Sequence, residues 1–444
     1  MRITVRSLLL CSTLCARVSA HWAADSKQQP IVHHQGPLGD NNDDDEKTPV
    51  YRTSLLSLHR ALVDVPSISG SERSVAILLE KILTDYNYTV ELQRLSSTKP
   101  SSDENDESHA RYNVLAWPGR NSDRTFHNRV LITSHIDVVP PYIPYAINGT
   151  PIAPGSPYDF SDITSNTFIS GRGSVDAKGS VAAQITAASL LWSSPSIHAS
   201  DVMLLFVVGE ETSGQGMKFF SSSLSNHTSP PGGQRPQFRA VIFGEPTENK
   251  LACGHKGILG GSIFAKGKAG HSGYPWLGKS AISVLVRALD KLLSADLGSS
   301  ERYGNTTVNV GFIEGGVAAN VIAKEAKARL AVRIAVGNQT TGGEIVAEGI
   351  RKVLRETDEE ALGLELVAGY GPVECNCEVE GFETMVANYG TDVPNLHGDH
   401  VRYLYGPGSI LVAHGDDEGL RVRDLEDAVE GYKRLIKHAV EDSA

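Results

Sequence analysis

The chain has 444 residues, 40% hydrophobic and 21% charged, the balance of a globular protein long enough for two domains with their own cores. A formal charge of −11 argues against loose binding to nucleic acid. No apolar stretch has the length a membrane span needs, so neither nucleic acid nor bilayer is an expected partner.

Residues 1–20 read as an export signal. Arg2 and Arg6 make a basic start, an apolar core covers 8–16, and Val18-Ser19-Ala20 suits cleavage. A secreted, extracellular protein is therefore expected. Five sequons give mild support, at Asn87, Asn148, Asn226, Asn305 and Asn338. Cys253, Cys375 and Cys377 outlast the signal, enough for one bridge and a free thiol, so the fold is not disulfide-built. Residues 21–49 are polar, with an acidic run at 40–46, and read as a solvated spacer. Ser-Gly-Ser-Glu at 69–72 reads as a capping box opening a helix, with Val75, Leu78, Leu79, Ile82 and Leu83 on one face. A charged stretch at 96–108 reads as a surface loop.

From residue 130 strands and helices alternate: strand 130–135, helix 180–192, strand 202–208, helix 217–224, strand 240–243. That rhythm belongs to a mostly parallel sheet. After about 257 the order becomes strand 258–265, helix 281–293, strands 306–312 and 326–334, then helix 344–356, which suggests a small antiparallel α+β insertion. A strand at 409–413 and an amphipathic helix come next, the latter with Leu425, Val429, Tyr432, Leu435, Ile436 and Ala439 on its apolar face. The expected organisation is an α/β catalytic domain in two parts, 50–256 and 368–444. An α+β, ferredoxin-like domain over 257–367 interrupts it.

The apolar runs share a form of punctuation: each leads into a metal-type ligand. The run at 130–134 leads to His135 and Asp137, that at 203–209 to Glu210 and Glu211, that at 240–244 to Glu245, and that at 409–413 to His414. Open α/β sheets build their sites at such carboxyl ends. An imidazole there can bind metal through one nitrogen while Asp137, two residues on, takes a hydrogen bond from the other. Alone, a His-x-Asp triplet is more often a satisfied structural histidine. Two adjacent carboxylates after so apolar a run repel each other unless a cation shares the site. Both can face one site only if the backbone turns, which Gly209 permits. In the glycine-punctuated segment 171–179, Asp176 can bridge two cations, and the phosphate-binding alternative lacks its Gly-Lys-Ser/Thr ending. Imidazole and carboxylate without thiolate suit zinc in an open, catalytic site.

Six motifs in order carry a family resemblance: SHIDVVP at 134–140, GRGSVDAKG at 171–179, GEET at 209–212, GEPT at 244–247, GHS at 270–272, and GPG at 406–408 with Ala413-His414. Together they resemble the co-catalytic zinc metallopeptidases, which include aminoacylases, glutamate carboxypeptidases, acetylornithine deacetylases and succinyl-diaminopimelate desuccinylases. Within that family the chain looks most like a secreted fungal-type carboxypeptidase. The resemblance covers residue 51 to the C-terminus and implies two zinc ions per subunit. Asp176 would bridge them, His135 and Glu245 would complete one site, and Glu211 and His414 the other. Glu210 would be the general base acting on a water between the metals, with Asp137 supporting His135, and a cis peptide after Asp176 is common in relatives. His271, on the inserted lid, would help stabilise the oxyanion, in some relatives from the opposite subunit. Asn320 and Arg333 match positions that hold the substrate's carboxylate. Homodimerisation through the lid also occurs in the family.

Two departures stand out. The family's usual Trp and Pro-Phe after the His-x-Asp segment give way to the stretch 140–150, and Ala323 stands where a proline customarily follows Asn-Val-Ile. The expected activity is a carboxypeptidase or dipeptidase cutting amides of short peptides next to a free carboxylate. An N-acyl-amino-acid amidohydrolase is the second reading. A non-catalytic binding protein on the same fold is a remote third.

Overall fold

A computed structural model describes residues 48–95, 110–119, 126, 128–226, 237–367 and 369–441. The export signal, nearly all of the spacer, the 96–108 loop and the side chain of Asn226 lie outside the described residues. Among those described, no helix is long and apolar enough to cross a membrane.

In chain order, helix α1 (Arg52–Val63) and helix α2 (Arg73–Asp85) precede strands β1 (Tyr88–Arg94), β2 (Tyr112–Pro118) and β3 (Val130–His135). Helix α3 (Lys178–Ser193), strand β4 (Val202–Val207), the single turn α4 (Glu210–Ser213), helix α5 (Gln215–Asn226) and strand β5 (Ala240–Gly244) come after them. The sheet closes with β6 (Val401–Tyr405), in the order β1-β2-β4-β3-β5-β6, and β4, β3, β5 and β6 run parallel. Alternate side chains of each central strand enter different cores. Val130, Ile132, Leu204 and Phe206 pack with α1, α2, α3 and the final helix (Val422–Glu441), whereas Leu131, Met203, Leu205 and Val207 pack with α5. Burial on both faces is why these runs are continuously apolar rather than alternating. β3 lies between β4 and β5, so the chain leaves it in opposite directions and opens a crevice at its carboxyl end.

The insert has its own sheet and core. Strands Gly257–Lys266, Thr307–Gly315, Glu325–Ile334 and Leu362–Leu366 form an antiparallel sheet with Thr307–Gly315 at one edge. Ala326, Ala328, Leu330, Val332 and Ile334 alternate inward against the helices Ala281–Leu293 and Gly342–Asp358. Ser280 caps the first of these helices by accepting the Ser283 N–H at 3.2 Å. The closing strand, Leu362–Leu366, escapes the sequence pattern because its residues are only half-buried or exposed. Cys253 and Cys377 form a disulfide, and Cys375 is a buried free thiol.

Two expectations fail. The capping box at 69–72 does not form: Glu72 instead takes the Arg111 guanidinium at 2.5 and 2.7 Å, and Ser69 turns to Asp137. Residues 409–413 are not a strand. Val401–Tyr405 already occupies the edge beside β5, and Pro407 with Gly408 (φ +76°) turns the chain away. Beyond Gly408 the backbone runs in turns, with the N–H groups of Val412, Ala413 and Gly415 bonded to carbonyls three residues earlier, and Leu411 is 81% exposed.

Candidate metal centre

Three strand ends and two runs of turns, one carrying Asp176 and the other His414, supply the centre. His135 ends β3 and is buried. Its Nδ1 lies 2.9 Å from the Asp137 carbonyl oxygen, to which it donates, leaving Nε2 for the crevice, 2.9 Å from Asp176 Oδ1. The other oxygen, Asp176 Oδ2, is 3.4 Å from His414 Nε2, and that same nitrogen is 3.0 Å from Glu211 Oε2. One carboxylate thus faces two imidazoles with different oxygens, the arrangement a bridging ligand needs. Ligand atoms of His135, Asp176 and Glu211 all lie within 4.8 Å of one another. The peptide between Asp176 and Ala177 is cis.

Glu210 and Glu211 turn out of the sheet together because Gly209 adopts φ +73°, and a Cβ there would stand 2.7 Å from Arg111 Nη2. Glu245 follows β5, is buried, and lines a small void with His135, Glu210 and Asp392. The crevice is therefore rich in acid, and its electrostatics show it. Burial and the charge of Glu245 push the Glu210 carboxyl well above the usual range, and burial and Asp176 do the same to Glu245. Hydrogen bonds donated to the Asp176 and Glu211 carboxylates raise His414 to about 10. Burial opposes the protonation of His135, but the Asp176 bond and charge, with Glu245 and Glu210, carry it well above its ordinary value. Crowded acids of this kind call for positive charge beside them. Oxygen and nitrogen donors, crowded and short of cations, fit a pair of zinc ions.

Asp137 requires a correction. Its carboxylate does not take the His135 N–H; Oδ1 lies 3.7 Å from Nδ1. Instead it accepts the backbone N–H groups of Glu210 at 3.1 Å and Glu211 at 3.3 Å, and the Ser69 hydroxyl at 2.7 Å. It caps the turn that presents the two glutamates. Nothing in a His-x-Asp triplet distinguishes this from a carboxylate–imidazole bond.

His271 is exposed on the insert, where its Nδ1 accepts the Gly273 N–H at 3.0 Å and its ring meets Tyr274 edge-on. Asn320 lies alongside, its carbonyl accepting the Ser272 N–H at 3.1 Å. Arg333 reaches back from the insert sheet: a Cβ on Gly390 would stand 3.6 Å from its Nη1. His135, Asp176, Glu211 and His414 are thus in direct contact, Glu210 and Glu245 share their crevice, and His271 and Asn320 sit on the insert's surface.

Three residues here escaped the sequence reading. Asp392 is buried, its Oδ2 has no hydrogen-bond partner among the described residues, and burial raises its carboxyl to about 6. Arg172 and Glu418 form a buried ion pair at 2.7 Å behind the Asp176 loop. An apolar run ending in a carboxylate is the signal that found Glu210 and Glu245, and none of the three has it.

Comparison with known proteins supplies the family and the fold. Residues 253–361 match the model of a peptidase dimerisation domain. A peptidase M20 domain-containing protein of Sordaria macrospora is 60% identical, covering 92% of this chain and 89% of that one. A probable carboxypeptidase of Neosartorya fischeri is 43% identical, covering 98% of both. The fold is shared with an M20 family metallo-carboxypeptidase of Sulfolobus solfataricus (TM-score 0.61, 16% identity, covering 87% of this chain and 99% of that one). It is also shared with a dinuclear metal-binding M20 peptidase of Bacillus subtilis (TM-score 0.57, 16% identity, covering 88% and 98%).

Proposed function

Because the chain belongs to the M20 peptidase family, we propose that it is a secreted dinuclear zinc carboxypeptidase or dipeptidase, cleaving amides of short peptides beside a free carboxylate. The observation that carries this reading is Asp176, whose two oxygens face the imidazoles of His135 and His414 separately. His135 and Glu245 would complete one zinc position, Glu211 and His414 the other. Two zinc ions so held supply Lewis acidity, acidifying a shared water and polarising the scissile carbonyl.

The chain's own groups do the rest. Glu210, its carboxyl raised well above the usual range by burial and by Glu245, takes the proton of the attacking water and hands it to the leaving amine. Asp137 holds the Glu210 and Glu211 backbone so that both carboxylates enter the crevice. His271 donates to the developing oxyanion, and Arg333 or Asn320 takes the substrate carboxylate. Arg333, beside Gly390 near the crevice, is the better placed of those two.

The insert would pair two copies. Its helix Ala281–Leu293 exposes Ile282, Val286 and Leu293, its edge strand exposes Phe312 and Ile313, and the region matches a dimerisation domain. Pairing would give the exposed His271 a cleft to enter. Export is supported by the Cys253–Cys377 bridge and by exposed asparagines at Asn87, Asn148, Asn305 and Asn338.

The test is zinc content plus a substrate panel on the purified mature chain. Two zinc ions per subunit and cleavage of blocked dipeptides are expected. Preference for acetyl- or long-chain acyl-amino acids would replace the reading with an amidohydrolase, and a zinc-loaded protein inert towards every amide would sink both.

A further inference from the structure

Asp176 and His414 are far apart in the chain, yet one buried ion pair holds the backbone of both. Glu418 is 1% exposed, as is Arg172. Glu418 Oε1 accepts the N–H groups of Gly173 at 2.9 Å, Val175 at 3.1 Å and Asp176 at 3.1 Å. Its carbonyl accepts the Gly171 N–H at 3.0 Å and the Ser174 hydroxyl at 3.2 Å. Its other carboxylate oxygen takes Arg172 Nη1 at 2.7 Å. The guanidinium then donates to the carbonyls of Gly415 at 3.0 Å, His414 at 3.4 Å and Pro141 at 3.2 Å.

His414 needs such support. It is half-exposed, sits on a run of turns rather than a strand, and carries φ +65°, a conformation that costs a non-glycine residue stability. Asp176 sits on a loop of turns. Neither loop fixes the other, and the spacing of the second cation position depends on both. A carboxylate satisfied by three backbone donors and an arginine is rigid, because any displacement leaves a buried charge unpaired.

We propose that Glu418 is the positioning residue that holds the Asp176 loop and the His414 turn in register before metal arrives, and so sets the affinity of the Asp176–Glu211–His414 position. The proposal rests on the dinuclear reading above. Outer partners of metal ligands affect affinity by about 10–100-fold when removed.

Two experiments test it. In metal-free wild-type protein, the amides of Gly173, Val175 and Asp176 should resist hydrogen exchange as the sheet core does. Rapid exchange there would overturn the proposal, and this measurement needs no variant to fold. In Glu418→Gln, zinc titration should show the Asp176–Glu211–His414 position weakened about 10–100-fold, and the position completed by His135 and Glu245, which shares Asp176, weakened less. A residue of merely structural importance would lower the melting temperature and leave both affinities equal to wild type, which would also overturn it. If wild-type protein bound no zinc, the dinuclear reading would fall by itself, while exchange in the metal-free chain would still judge the clamp.

Discussion

The Asp137 carboxylate accepts the Glu210 backbone N–H at 3.1 Å, so one acid fixes another through the main chain rather than through a side chain. It takes the Glu211 N–H and the Ser69 hydroxyl as well, and both glutamates depend on it for direction. Asp137→Ala is therefore expected to lower kcat by about 10–100-fold, with zinc retained at the His135 side. Kinetics and metal analysis of the same preparation check this. Full activity would show that the turn holds without its cap.

Glu210→Ala should keep both metals and lose at least about a hundredfold in kcat, the low end for a general base. Zinc content separates this outcome from damage to the ligand set. Near-normal turnover would remove Glu210 from the reaction.

Gly209→Ala combines two costs. The residue holds φ +73°, and the added Cβ would meet Arg111 Nη2 at 2.7 Å. That arginine cannot swing aside easily, being bonded to Glu72 and to Gln215 at 2.6 Å. The expected loss is about 1–3 kcal/mol of stability, read from urea unfolding, together with reduced activity because Glu210 is the next residue.

Acid should destabilise the protein through two fully buried histidines, His59 and His255. Burial lowers both His59 and His255 to about 4, and each donates one ring N–H to a carbonyl, of Ser174 and Lys256 respectively. A histidine depressed on folding contributes stability that is complete above its unfolded value near 6.5 and lost as pH falls towards 4. Each is worth roughly 3 kcal/mol across that window. The urea midpoint should fall steadily between about pH 6.5 and 4, and His59→Gln should flatten part of the fall.

Much of the centre is legible in the chain because its central strands are buried on both faces. Such strands are unbroken apolar runs, and the residue that ends one stands at the crevice; His135, Glu210 and Glu245 all obey that logic. His414 has the same signature and a different origin. The run 409–413 is apolar enough for a strand, but the edge of the sheet is already taken by Val401–Tyr405. Hydrophobicity indicates a wish for burial without saying whether a place is vacant. Glu418 and Arg172 are invisible for another reason: their meaning lies in a contact across 246 positions, and each alone is an ordinary charged residue in a glycine-rich stretch. The bond between Asp137 and the Glu210 turn is non-local too, across 73 positions.

The Cys253–Cys377 bridge joins the chain just before it departs into the insert to the chain just after it returns. A proteolytic nick anywhere in that excursion would leave the two pieces tethered, so the tail bearing His414 could not diffuse away. For an enzyme at work among other proteases, the insert can thus be cut without the centre losing a ligand.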